Sequence, residues 1–212
     1  MATHADEHPL TAVRHYYASH LAEHGATARG VDWNGETSQA LRFKQLLRIV
    51  DDHTAFSLND LGCGYGACLT YMAAAGLDCD YLGIDIVPEM ITAARTIHRE
   101  QGHCRFEVGK HFDRCADYTV ASGIFNVSLD VDKSSWQQLI LETLDTMNTC
   151  STRGFAFNCL TAYSDQDKMR PHLHYADPLK LFDYCKRHYA RNVALLHDYE
   201  LYEFTILVRK GT

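Results

Sequence analysis

The stretch best equipped for chemistry is Ser57-Leu-Asn-Asp-Leu-Gly-Cys-Gly-Tyr-Gly66, where a short apolar run ends at Asp60 and Leu61 and three glycines follow at alternate positions, Gly62, Gly64 and Gly66. Glycines let the main chain turn sharply and approach a ligand with no β-carbon in the way, and a helix beginning at Ala67 would offer free N–H groups at its start. A second run, Tyr81-Leu-Gly-Ile-Asp85, ends in a carboxylate 19 residues after Gly66, placed to accept hydrogen bonds from both hydroxyls of a ribose. The glycine spacing is G-x-G-x-G, not the G-x-G-x-x-G that cradles a pyrophosphate, and Asp60 would sit poorly beside a diphosphate. Two carboxylates around a glycine turn suit a nucleoside with a cationic centre.

The elements that position these residues alternate along the chain. Apolar runs predict strands ending at Leu61 and spanning residues 81–86, 104–108, 118–122, 154–160, 193–196 and 203–209. Between them, helices are expected over 67–75, from Pro88 to about Gln101, from a capping box at Ser135 and Gln138, and from Asp177 and Pro178 through His188. The last two strands are too close in sequence for a crossover helix and must pair antiparallel. Before the first strand, Leu10, Val13, Tyr17 and Leu21 mark a helix from Pro9 stopped by Gly25, and Thr37 or Ser38 can cap another carrying Ala40, Phe43, Leu47 and Val50 on one face.

Three motifs carry a family resemblance: Asn59-Asp-Leu-Gly-Cys-Gly-Tyr-Gly66, Leu82-Gly-Ile-Asp-Ile-Val-Pro-Glu-Met90, and Ala121-Ser-Gly-Ile-Phe125 at the fourth strand. In that order and spacing the chain resembles the Rossmann-like (class I) S-adenosylmethionine-dependent methyltransferases, in particular a small bacterial subgroup. The resemblance implies an α/β fold: a doubly wound seven-stranded sheet with an antiparallel last strand and an N-terminal helical cap. Residues 1–52 would form the cap and residues 53–212 the cofactor-binding unit. It also implies S-adenosylmethionine as cofactor, held by Asp60, Gly62, Cys63, Gly64, Gly66, Asp85, Ile86, Met90 and Ser122. Ile86 would lie on the adenine face or pack in the core. Beyond the third strand, where the family often places an acidic or amide residue for the adenine amino group, this chain has Gly109-Lys-His-Phe-Asp113.

From the cap, Tyr16, Tyr17, Trp33 and Arg42 are expected to face the cavity. Arg42 could hold the methionine carboxylate bidentately or be a solvated helix arginine, and the aromatics could box the sulfonium or clamp the helices. Phe125 and Asn126 fall near the transferred methyl, with Asn126 orienting an acceptor or a turn. The long connection 161–176 is the first choice for acceptor recognition through Tyr163, Arg170 and Tyr175, with His172 or His174 as general base or as surface histidines. The expected reaction is methyl transfer to an oxygen of a small metabolite. Nitrogen transfer or a non-catalytic cofactor sensor are the alternatives, and a nicotinamide dehydrogenase is disfavoured.

Composition bounds the partners. With 212 residues there is room for one α/β domain, and a formal charge of −7 argues against a nucleic-acid backbone as ligand. Eight dispersed cysteines with no Cys-x-x-Cys pair read as reduced thiols of a cytoplasmic protein rather than a disulfide frame or a zinc site, and 13 histidines show no convincing metal spacing. No apolar run approaches the roughly 18 residues of a membrane span. A small-molecule acceptor and a monomer or homodimer are the expectation.

Overall fold

The computed structural model describes residues 10–51 and 55–211. Pro9, the expected start of the first helix, and the expected 52/53 boundary between cap and sheet lie outside the described residues. The cap contributes α1 (Leu10–His24) and α2 (Glu36–Leu46). There follow β1 (Phe56–Leu61), α3 (Ala67–Ala74), β2 (Cys79–Asp85), α4 (Pro88–Ile97), β3 (Cys104–Val108) and β4 (Ala116–Ala121). The chain continues through α5 (Lys133–Thr149), β5 (Ser151–Leu160), α6 (Pro178–His188), β6 (Asn192–Leu196) and β7 (Glu203–Arg209).

The strands form one sheet in the order β3-β2-β1-β4-β5-β7-β6. The pairs from β3 to β5 are parallel, while β7 runs antiparallel to both β5 and β6, as its short link to β6 requires. Strand order reverses between β1 and β4, and a crevice opens there beyond the carboxyl ends of the strands. Side chains alternate between the two faces. Leu58, Tyr118, Val120, Ala156 and Leu207 meet α2 and α3 on one side, through Phe43, Leu46, Cys68 and Met72. Phe155, Phe157, Phe204 and Ile206 meet α5 and α6 on the other, through Trp136, Ile140, Leu144 and Cys185.

Helix starts follow local chemistry, with two corrections. Asp177 caps α6 as expected, accepting from the N–H of Leu179 at 2.9 Å and of Lys180 at 3.3 Å. The start of α5 lies at Asp132 rather than at a Ser135 box: its Oδ1 takes the N–H groups of Ser134 and Ser135, each at 3.1 Å, because the carboxylate three residues earlier already occupies those donors. For α2 the N-cap is Gly35, and Ser38 Oγ turns back to donate to Gly35 O at 2.8 Å instead of capping. The α4 helix ends at Ile97, short of Gln101, because His98 leaves it to pack beneath the glycine turn.

Candidate functional site

A cavity opens above the crevice, walled by Leu10, Val13, Tyr17, Val31, Trp33, Gln39 and Phe43 of the cap and floored by the ends of β1, β2 and β4. Its floor begins with the glycine turn, where the N–H groups of Gly62 and Cys63 donate to Ile84 O at 2.8 and 3.0 Å, latching the turn to β2. Gly64 adopts φ +54°, and a β-carbon there would stand 3.2 Å from Val31 Cγ1 and 4.0 Å from Met90 Sδ, inside the cavity. Side chains at this position would both strain the backbone and fill the cradle.

Asp85 closes the turn from below. Its Oδ2 accepts from Gly64 N and its Oδ1 from Val87 N, both at 2.9 Å. Burial pushes its carboxyl up to about 6 against the opposing pull of those N–H groups. Asp60, 2% exposed, accepts the Tyr81 hydroxyl proton at 2.5 Å; burial pushes it up to about 7, with Tyr81 opposing and the Asp85 charge adding. Cys63 also lines the cavity, but burial first, and then the nearby Asp60 and Asp85, holds its thiol well above the ordinary range, so it is no nucleophile. Behind the turn, His98 Nε2 lies 3.0 Å from Gly66 O and the ring stacks on Phe106.

Trp33, Asp60, Gly62, Cys63, Gly64, Asp85, Ile86, Met90, Ser122, Phe125 and Tyr17 are thus brought to one cavity, with Gly109 and Lys110 at its β3 side. Others are not. A β-carbon on Gly66 would strike His98 Nε2 at 2.7 Å, so this glycine serves packing under the turn rather than the ligand. Arg42 is turned away from the expected carboxylate: its Nε and Nη2 each donate to Glu203 at 2.8 Å, in a pair buried on both sides, with the guanidinium stacked on Trp33. Sequence spacing missed this because the partner is 161 residues away.

Nor do the expected catalytic histidines reach the cavity; among the described residues no histidine lines it. His172 lends its carbonyl to the N–H groups of Ser128 and Leu129, and its ring stands 6.2 Å from that of Tyr16, whose hydroxyl donates to Asp32 at 2.8 Å. His174 donates its N–H to Asn126 O and lines a separate cavity with Arg170 and Tyr175, where burial and then Lys133 lower its pKa. Asn126 ties the segment together, its Oδ1 accepting from Leu160 N at 3.0 Å. Tyr163 is 65% exposed against His197. The 161–176 connection folds back onto the ends of β4 and β5 instead of reaching over the glycine turn, because short bridges at Val127–Leu173 and Thr161–Ala176 pin it.

A family model described as a methyltransferase domain matches residues 59–146. The Mycobacterium tuberculosis protein named "Putative methyltransferase Rv1506c" is 56% identical over 166 residues, spanning 78% of this chain and 100% of that relative. The chain belongs to the methyltransferases, and its fold is that of class I. The methyltransferase also shares its fold with solved structures. Magnesium protoporphyrin IX methyltransferase of Synechocystis PCC 6803, solved with its cofactor, has TM-score 0.71 at 12% identity and covers 99% of this chain and 100% of that one. The N-methyltransferase NodS of Bradyrhizobium japonicum WM9, in complex with S-adenosylhomocysteine, has TM-score 0.67 at 15% identity over 94% and 98%. The cavity's chemistry fits S-adenosylmethionine: a cation would meet two carboxylates, and the Gly64 cradle has no side chain in the way.

Proposed function

We propose that this methyltransferase transfers its methyl group to an oxygen of a small-molecule acceptor that arrives ionised. The observation that carries the reading is the commitment of both floor carboxylates, Asp60 to the Tyr81 hydroxyl and Asp85 to the N–H groups of Gly64 and Val87, which leaves neither placed as the base for an acceptor. A neutral hydroxyl would need a base to take its proton, whereas an anionic oxygen needs none.

In this assignment Asp85 accepts the ribose hydroxyls with the lone pairs left over from Gly64 and Val87, and Ile86 and Met90 border the adenine. Asp60 offsets positive charge. Ser122, Gly123, Phe125, Trp33 and Tyr17 surround the acceptor end. When bound there, the cofactor would supply an electrophilic methyl on a sulfonium, so that an acceptor lone pair would form the O–CH3 bond while the S–CH3 electron pair stays on sulfur in a departing neutral thioether. The protein's part is alignment and exclusion of water by the cap, which is worth several kcal/mol, on the order of 7 or more in favourable cases. Mass spectrometry of reactions with candidate carboxylates, phosphonates, phenols and amines tests the assignment, and transfer to nitrogen alone refutes it.

A further inference from the structure

Four side-chain atoms at or behind the acceptor end of the cavity are buried with no hydrogen-bond partner among the described residues: Ser122 Oγ, which lines it, and Asn126 Nδ2, Asn158 Nδ2 and Arg42 Nη1 behind it. They share one neighbourhood. Gly123 N–H donates to Asn158 Oδ1 at 2.6 Å. A β-carbon on Gly123 would lie 3.5 Å from Asn126 Nδ2 and only 2.3 and 2.4 Å from Cη2 and Cζ2 of Trp33. Arg42 Cζ in turn stands 3.9 Å from the centroid of the Trp33 ring. Asn158 is 0%, Asn126 4% and Arg42 5% exposed, while Ser122, Gly123 and Trp33 line the cavity itself. The cluster is therefore the wall behind Trp33, at the carboxyl ends of β4 and β5 and beside β7.

Buried donors are nearly always paired, so several left open in one place point to a ligand that completes them. Three of these atoms are amide or guanidinium nitrogens, which only donate, so the missing group accepts. Charge narrows it. Glu203 already matches the charge of Arg42 with both oxygens, so a singly charged acceptor group adds less uncompensated charge to this wall than a dianionic phosphate.

We propose that this wall seats a carboxylate of the acceptor, its oxygens taking the N–H groups of Arg42 Nη1, Asn126 Nδ2 and Asn158 Nδ2, once the Trp33 ring lifts off Gly123 to admit it. The inference rests on the methyl-transfer reading above and deepens it. One carboxylate oxygen then faces the cofactor beside Ser122; its lone pair forms the bond to the methyl carbon, sulfur keeps the electrons of the broken bond, and a methyl ester and a neutral thioether result with no proton moved.

The test is a titration of the cofactor-loaded, nitrogen-15-labelled full chain with acetate and benzoate, against benzyl alcohol and phenylphosphonate as controls, following the Trp33 indole and the Asn126 and Asn158 side-chain amide resonances. Saturable shifts with a carboxylate and not with the controls are expected. Asn126→Asp and Asn158→Asp keep the Oδ1 that receives Leu160 N or Gly123 N but exchange the donor for an acceptor, and should weaken carboxylate binding at least about tenfold. The amide spectrum and cofactor affinity of each aspartate variant, unchanged from the parent, show that a loss of carboxylate binding is not a folding defect. No shift with either carboxylate, equal binding of benzyl alcohol or phenylphosphonate, or undiminished affinity in both aspartate variants overturns the proposal. Failure to bind the cofactor at all sinks the methyl-transfer reading instead, whereas methylation of other oxygens without carboxylate binding sinks this inference alone.

Discussion

Asp60 and Asp85 share a wall of the cavity, and burial holds each above its ordinary range. Their consequences differ. Asp85 both ties the glycine turn and is the assigned ribose ligand, so Asp85→Ala should weaken cofactor binding about 100-fold by calorimetry, through the loss of charge-assisted hydrogen bonds. Asp60 acts through charge. Its carboxyl rises from 3.8 to about 7 on folding, so the folded chain binds that proton more tightly than the unfolded one. Stability linked to it is full below the lower value and is lost as pH rises through about 7. Asp60→Asn keeps an oxygen for Tyr81 and removes the titration; its melting temperature relative to the parent should rise by a few degrees between about pH 5 and pH 8 in the cofactor-free protein. A constant difference across that range would show that Asp60 does not titrate there.

At the scale of elements, the segment between α1 and α2 is held against the sheet by a side chain meeting a bare backbone. Gly123 has φ +74° at the end of β4, and the Trp33 ring occupies the volume its β-carbon would need. Gly123→Ala should therefore displace Trp33, shifting its fluorescence to the red and destabilising the fold by about 1–3 kcal/mol in urea unfolding. Unchanged emission would mean that the ring is not seated there. Helix ends make the smaller claim. Removing the cap of α6 by Asp177→Ala should cost about 1 kcal/mol, lowering the melting temperature by roughly 2–4 °C.

Across the whole molecule, Arg42 of α2 and Glu203 of β7 clamp the cap to the last strand through a bidentate pair with side chains 7% and 0% exposed. Breaking one side strands a buried charge, so Arg42→Met should destabilise by about 3–5 kcal/mol, and adding Glu203→Met should recover much of that loss in chemical denaturation. If the double variant is no better than the single, the pair is not what holds the charge of Glu203.

That pair also marks the limit of what local sequence specifies in this protein. The glycine turn, Asp60, Asp85, the order of strands and helices, and the reversed β7 all follow from local signals: glycine where φ is positive, period-two apolar runs, and a link too short for a crossover. Such signals are carried by neighbours in the chain, so the sequence by itself determined the fold and the glycine turn with its two carboxylates. Which way Arg42 points, which side of the sheet end the histidines of 161–176 take, and which amides lie open behind Trp33 depend on partners tens to more than a hundred residues away. Those choices were made by packing in three dimensions, because a long side chain takes whichever charge or bare backbone the fold brings within its reach.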